Sequence, residues 1–427
     1  MTGAAPGIGK THGYAIELFR SGKHIAIAVP TRQLAAQFLA SDALAAAQAV
    51  VSATVEVLQP RSNFERTAEY RAHRERALTA QVLVVTHAAA MIDSLSAGYA
   101  DLRKRDVILF DEADLLADAG DLRTAFTISE ATLAVCGVNG KDARQAAERF
   151  LARATEPEDK AAARAALRAL DRPAWYRAAG FDNEGALVLR HRLPGRMLVP
   201  FVRDAPRSTF VSGTLQVNNR FDYFVRSIGL KKIDPASRHK DPVQHGSLTV
   251  EIAREEMMHA DMAQRIALAE RPVLVITISH ADAAAIGALL NGAAVRGEGE
   301  LLADALARCT DDGILLAAGV WTGLDEPRLR WRTVVMPKVP YGPPITVNGE
   351  QITHYADSRA TALRRICQGL HRGLRTADAR CALLLLDKRF ARPELRGAIP
   401  AWFQGLLRGV DEGAPGGHVV QGGALPI

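Results

Sequence analysis

The sequence predicts an α/β protein built on two doubly wound parallel sheets in tandem. Eight short apolar runs have the length of strands, Ala-, Arg- and Leu-rich helical stretches separate them, and they fall into two series of four. Strands that are apolar throughout and alternate with helices belong to parallel sheets covered on both faces. The first series occupies residues 24–31, 81–87, 106–114 and 208–214, and the second 273–279, 313–319, 332–340 and 381–387. A chain of 427 residues has room for two to three domains. With 48% apolar and 23% charged residues it can bury large cores without staples. No apolar run approaches the roughly 18 residues of a membrane span, and the N-terminal residues do not resemble a secretory leader. The four cysteines (Cys136, Cys309, Cys367, Cys381) are far apart and show no CxxC spacing, as expected of reduced thiols in a cytoplasmic protein.

In chain order, residues 4–11 come first and read AAPGIGKT. This is the phosphate-loop pattern G-x-x-x-x-G-K-[ST], with Ala4 in place of the first glycine. Gly7 and Gly9 let backbone N–H groups turn inward around phosphates. Lys10 brings a point charge to the β- and γ-phosphates, and Thr11 a hydroxyl to Mg2+. A helix starting near His12 would point its positive end at the same anion. Such a loop follows a buried strand, yet only residues 1–3 precede it. That strand is expected to lie upstream of the given start, to come from elsewhere in the fold, or to be vestigial.

The strand at 24–31 ends in Pro30, Thr31 and Arg32, and the strand at 81–87 ends in Thr86 and His87. Between them, residues 61–80 carry five Arg against three Glu and read as a basic helix. The run VILF then meets Asp111, Glu112, Ala113 and Asp114. A strand-end acidic pair suits nucleotide hydrolysis, with Asp111 on the Mg2+ shell and Glu112 polarising the attacking water. Residues 115–207 break the strand–helix rhythm and read as a helical insertion. Residues 208–235 return to the first sheet, ending it with Ser212, Gly213 and Thr214. The second domain is expected over 236–408. The tail at 409–427, with six glycines and two prolines, is expected to be poorly ordered.

The C-terminal half narrows the assignment. Residues 320–327 read VWTGLDEP, 332–344 read RTVVMPKVPYGPP, 368–375 read QGLHRGLR and 383–390 read LLLLDKRF, while FDYFVRSIGL follows the Ser-Gly-Thr triplet at 221–230. In this order the motifs resemble the XPD/DinG-like superfamily 2 DNA helicases over most of residues 4–390. Three positions depart from the family pattern: Ala4, Thr322 in the WEG triplet, and His371 where a glycine precedes the arginine finger. That family commonly holds a 4Fe–4S cluster on four cysteines between the phosphate loop and the acidic box. Residues 1–111 contain no cysteine, so no cluster can form there. The chain therefore resembles cluster-free members, including those that accompany type IV CRISPR systems.

The resemblance implies two RecA-like lobes, with an arch-type insertion at 115–207, that burn ATP with Mg2+ while moving 5′ to 3′ along single-stranded DNA and opening duplex junctions. It implies that Lys10 and Thr11 hold phosphate and metal, and that Asp111 and Glu112 organise metal and water. Ser212, Gly213 and Thr214 would couple the nucleotide to the strand. Asp325 would link the two sites. Gln368, Arg372 and Arg375 would reach the γ-phosphate from the second lobe. Thr31, Arg32, Thr86, His87 and Trp321 fall in segments that touch or couple to the strand in this family. A CRISPR ribonucleoprotein is the protein partner it suggests. Phe221 is expected in the core, while Trp321 and Tyr341 are open to either base stacking or packing in the core or between lobes.

Charge adds a weaker signal. The chain carries a net charge of +6, and residues 359–396 alone hold ten Lys/Arg against three Asp/Glu, the concentration a phosphate-tracking surface needs. Two other readings stay open. One is an RNA helicase of the DEAD-box kind, against which QGLHRGLR stands in place of HRxGRxxR. The other is a nucleic-acid-binding component with a degraded ATPase, suggested by Ala4 and the missing first strand.

Overall fold

The computed structural model describes residues 2–3, 17–95, 99–119, 126–135, 137, 142–154, 160, 163–164, 167, 170–171, 176–191, 195, 198–199, 207–216, 220–230, 239–240, 247–321, 328–342, 344–352, 355–370, 372–374 and 379–396. The first lobe runs β1 Thr2–Gly3, β2 Ile25–Val29, α1 Arg32–Leu39, α2 Asp42–Val50, β3 Val55–Val57, α3 Thr67–Thr79, β4 Val82–Thr86, α4 His87–Leu95 and β5 Val107–Asp111. An insertion follows with β6 Phe126–Ile128, α5 Glu130–Val135, α6 Ala143–Arg153, β7 Tyr176–Phe181 and β8 Leu187–His191. The first lobe resumes with β9 Ser208–Ser212, α7 Asp222–Ser227 and β10 His239–Lys240. The second lobe has β11 Ser247–Ile252, α8 His259–Ala267, β12 Val273–Thr277, α9 His280–Gly287, β13 Ala294–Val295, α10 Leu302–Arg308, β14 Ile314–Ala318, β15 Thr333–Met336, the hairpin β16 Ile345–Val347 and β17 Glu350–Ile352, α11 Tyr355–Leu370 and β18 Arg380–Leu385.

Both sheets are parallel, as the apolar runs predict. The first has strand order β10-β1-β9-β5-β2-β4-β3 and the second β11-β18-β15-β12-β14-β13. All eight expected strands form, each overlapping its apolar run. Every residue of β2, β12 and β14 is buried, because helices cover both sheet faces; the one polar member, Thr277, donates its hydroxyl to the Ser279 carbonyl at 2.9 Å. Phe110 on β5 stacks on Phe210 of β9, with ring centroids 5.0 Å apart, and Phe224 of α7 meets Phe210 edge-on at 5.4 Å. These rings fix β5 against β9 just below the strand ends that matter for function. Phe221, fully buried, belongs to the same core, as expected.

Three expectations need adjustment. Thr2–Gly3 supply a two-residue first strand, paired in parallel with both β9 and β10. β10 at His239–Lys240 pairs in the first sheet, so that lobe reaches beyond the expected limit of 235, and β11 from Ser247 belongs to the second. The insertion carries a three-stranded antiparallel sheet, order β6-β8-β7, besides its helices. Its core is Ile128, Leu133, Ala146, Ala147, Phe150, Ala163 and Leu187. These strands are short and flank the Ala-rich residues 141–172, and Asp182 marks the turn between β7 and β8 by accepting from the N–H groups of Glu184 and Ala186, both at 2.9 Å. The tail at 409–427 lies outside the described residues.

The insertion also touches the second lobe. Asn348, at φ 52° in the turn of the β16–β17 hairpin, donates its N–H to the Phe181 carbonyl at 2.5 Å. Its side-chain oxygen accepts from the Phe181 N–H at 2.9 Å. Gly180 makes room for this contact: a Cβ there would lie 2.5 Å from Val347 Cγ1. Among the described residues no helix is long and apolar enough to cross a membrane.

Candidate active site

In a parallel sheet the C-terminal ends of all strands open on one edge, and that edge is where such folds bind ligands. In the first lobe it gathers the ends of β2, β4, β5 and β9. Thr31 caps α1, its hydroxyl accepting from the Leu34 N–H at 3.2 Å, with Arg32 exposed beside it. Thr86 does the same for α4, accepting from the Ala89 N–H at 3.1 Å. His87 departs from the expectation that it meets a strand. It is wholly buried, and its Nε2 lies 2.9 Å from the Asp111 carbonyl and donates to it. It supports Asp111 from beneath. Nδ1 has no partner among the described residues.

Burial pushes the His87 imidazole down to about 4, outweighing the hydrogen bond to the Asp111 carbonyl and the nearby Ala28 backbone, both of which raise it. Its folded pKa is thus below the unfolded value near 6.5. The neutral ring's stabilisation is fully present above about pH 6.5 and is lost as pH falls toward 4. Unfolding by urea between pH 7 and 4 should show a loss of up to about 3 kcal/mol that His87→Asn lacks.

Asp111 ends β5 level with Val211, so Ser212 stands one residue beyond it. Glu112 follows in the left-handed region at φ 45°, ψ 48°. Its N–H is accepted by Asp111 Oδ1 at 3.0 Å. A glutamate in this conformation is strained, and strain of that kind clusters at functional sites.

The centre of the site is Asp114, to which the sequence reading gave no role. Ser212 Oγ lies 2.6 Å from Asp114 Oδ1 and 2.9 Å from Glu112 Oε2. Thr214 donates to Asp114 Oδ2 at 2.7 Å. Gly213 forms the turn that lets both hydroxyls face the same carboxylate. One serine proton cannot serve two carboxylates at once, so the second short contact favours a protonated partner. Burial, then repulsion from Glu112, pushes Asp114 up to about 6, against the pull of Arg364, Ser212 and Thr214.

The second lobe reaches the same carboxylate. Gln368, near the end of α11, donates Nε2–H to Asp114 Oδ2 at 2.9 Å. One turn earlier, Arg364 donates to the Asp114 carbonyl and lies 3.5 Å from Asp118 Oδ1. The sequence reading missed Arg364. Its spacing of four residues from Gln368, which places both on one helix face, was the available signal. Arg372 donates Nε–H at 3.2 Å and Nη2–H at 2.5 Å to the Trp321 carbonyl of its own lobe. The Trp321 side chain is buried in that lobe's core, so of its two expected roles packing is the one the fold takes. Gly369 packs beneath it without a side chain; a Cβ there would lie 2.4 Å from Met336 Cε. Gly7, Gly9, Lys10, Thr11, Asp325 and Arg375 lie outside the described residues.

The basic segment is partly spent inside the protein. Arg364 is buried, and Arg389 is held by Asp387 at 2.7 Å. Among the described residues no group of three or more His, Cys, Asp or Glu could hold a metal alone. One strand-end carboxylate, completed by water and phosphate oxygens, is however the donor set Mg2+ accepts, so Asp111 fits that ion.

Comparison with known proteins then bears on the chain as a whole. Residues 1–153 match the DEAD/DEAH box helicase family and residues 296–405 the helicase C-terminal domain. No curated protein matches the sequence. The chain is similar in structure to a protein named XPD helicase (TM-score 0.63, 15% identity, 93% of this chain and 94% of that one). It is also similar to an apo XPD (TM-score 0.60, 15% identity, 92% and 94%) and to Xpd4 of S. tokodaii (TM-score 0.59, 14% identity, 91% and 92%). At such identities the likeness shows the fold, a tandem pair of RecA-like lobes.

Proposed function

We propose that this chain, which carries the two helicase domains of superfamily 2, is a DinG-like DNA helicase that couples ATP hydrolysis to movement along single-stranded DNA. The observation that carries the reading is the meeting of both lobes on one carboxylate: Ser212 and Thr214 from the first and Gln368 from the second all bond Asp114. Hydrolysis of ATP with Mg2+ supplies the free energy. Asp111 and Thr11 hold the metal, Lys10 and the amides around Gly7 and Gly9 hold phosphate, and Glu112 orients water and accepts its proton. Asp325 and Arg375 complete the site from the second lobe, and Arg372 joins them once it leaves the Trp321 carbonyl that it bonds in this structure. Because Ser212 touches both Glu112 and Asp114, a change in the contact between lobes changes the hydrogen bonding of the hydrolytic glutamate. Thr31, Arg32 and Thr86 line the edge the strand follows, and His87 supports that edge.

The protein works without an iron–sulfur cluster in this reading. Residues 1–111 offer no thiolate, and burial pushes the thiols of Cys367 and Cys381 up to about 12, where they stay protonated. Movement from 5′ to 3′, a place in the cytoplasm and a CRISPR ribonucleoprotein partner rest on the resemblance of the motifs. The test is unwinding of tailed duplexes. A 5′-tailed DNA duplex is opened with ATP, a 3′-tailed one is not, and Lys10→Ala, still folded, opens neither. Unwinding from the 3′ tail alone would reverse the polarity, and full activity of Lys10→Ala would remove the phosphate loop from the mechanism.

A further inference from the structure

One buried charge is left without a role by the motor reading. Arg364 is 7% exposed, yet it reaches out of its own lobe. Nη1 donates to the Asp114 carbonyl and lies 4.0 Å from Asp114 Oδ2, while Nη2 lies 3.5 Å from Asp118 Oδ1. A guanidinium removed from water costs several kcal/mol unless it is paired. Every acceptor named for Arg364 belongs to the first lobe, so its compensation exists only while the lobes touch. The pairing is also incomplete. Nε is buried with no partner among the described residues, and the Asp118 side chain is 59% exposed. A half-satisfied buried cation marks a contact that can be exchanged for water when the cleft opens. Its neighbour Arg365 behaves differently, with Nη1 3.4 Å from the carbonyls of Pro340 and Tyr341 inside its own lobe.

We infer that Arg364 is the positioning residue of the interlobe contact: it grips the Asp114–Asp118 turn and seats α11 so that Gln368 meets the Asp114 carboxylate. The inference rests on the motor reading for its purpose, since a grip of this kind matters only if the lobes part and meet during turnover. It assigns the closing contact to a side chain whose named partners are Asp114 and Asp118 of the other lobe. A lysine keeps the charge but not the fork that spans a carbonyl and a carboxylate, and so replaces it only in part.

The test uses the full chain labelled at Glu65→Cys and Glu255→Cys, one exposed site on each lobe, with the distance between labels read by pulsed electron resonance. Arg364→Met lengthens and broadens the distribution, Arg364→Lys gives an intermediate one, and Arg365→Met leaves it as in the parent. With single-stranded DNA present, Arg364→Met lowers kcat for ATP about tenfold or more while KM stays within about threefold, the mark of a group that acts on the closed state and not on nucleotide binding. If Arg364→Met does not fold, Asp118→Asn replaces it and shifts the distribution in the same direction by less. A parental distance distribution in Arg364→Met, or in both Arg364→Lys and Asp118→Asn, overturns the assignment. A parent without strand-stimulated ATPase whose lobes still part on Arg364→Met leaves the grip standing and removes the motor.

Discussion

Glu112→Gln lowers ATP turnover by about 10²- to 10⁴-fold while nucleotide binding persists, the range a positioned general base supplies. Glutamine keeps the shape and can still accept from Ser212, so the contact at 2.9 Å survives. What it loses is the ability to take a proton. The residue's left-handed backbone follows from its place directly after β5 and is unaffected by the change. Single-turnover hydrolysis alongside binding of a fluorescent ATP analogue separates the two effects. Turnover within a few-fold of the parent would move the base elsewhere in the site.

Asp114→Asn has the second large effect, and its two consequences run in opposite directions. Asparagine can turn its oxygen toward Thr214 and Gln368 and its amide toward Ser212, whose proton then goes to Glu112. The hydrogen bonds survive but the negative charge beside Arg364 does not. Interlobe closure weakens, and strand-stimulated hydrolysis falls by about tenfold or more, since a hydrogen bond to a charged group contributes about 1.5–3 kcal/mol and a tenfold change is about 1.4 kcal/mol. Stability moves the other way. The folded pKa of Asp114, about 6, stands above its unfolded value of 3.8. Its contribution is fully present below pH 3.8 and is lost as pH rises through 6, so at neutral pH the ionised carboxylate costs the fold up to about 3 kcal/mol. Asp114→Asn is therefore less active yet no less stable at pH 7.5, as thermal unfolding and ATPase assays on one preparation will show. A variant that is both inactive and strongly destabilised would make Asp114 a structural residue only.

The legible parts of the molecule were those whose signal is local. The strands buried on both faces announce themselves as apolar runs, and the acidic box is read from a strand meeting two carboxylates. Edge strands were harder. Along β11 burial alternates residue by residue, and β3 is only half-buried, so neither reads as a run. The Asn348-Gly349 pair, at φ 52° and 79°, is a strong hairpin signal, but its contact with Phe181 joins segments far apart in sequence. The core of the site was hidden for the same reason. Asp114 has no special place in its own segment, and its importance comes from Ser212, Thr214 and Gln368, about 100 and 254 residues away. Arg364 was counted with a basic surface. In sequence, a charge buried between lobes and a charge in solvent look alike.

The central claim is that hydrolysis in the first lobe answers to a strand bound across both lobes. Steady-state ATP hydrolysis by the full chain, titrated with single-stranded DNA and separately with single-stranded RNA, tests it most directly. The account predicts a saturable rise in kcat with DNA and a weaker one with RNA. Turnover that is indifferent to both, at concentrations where the strand is shown to be bound, contradicts it.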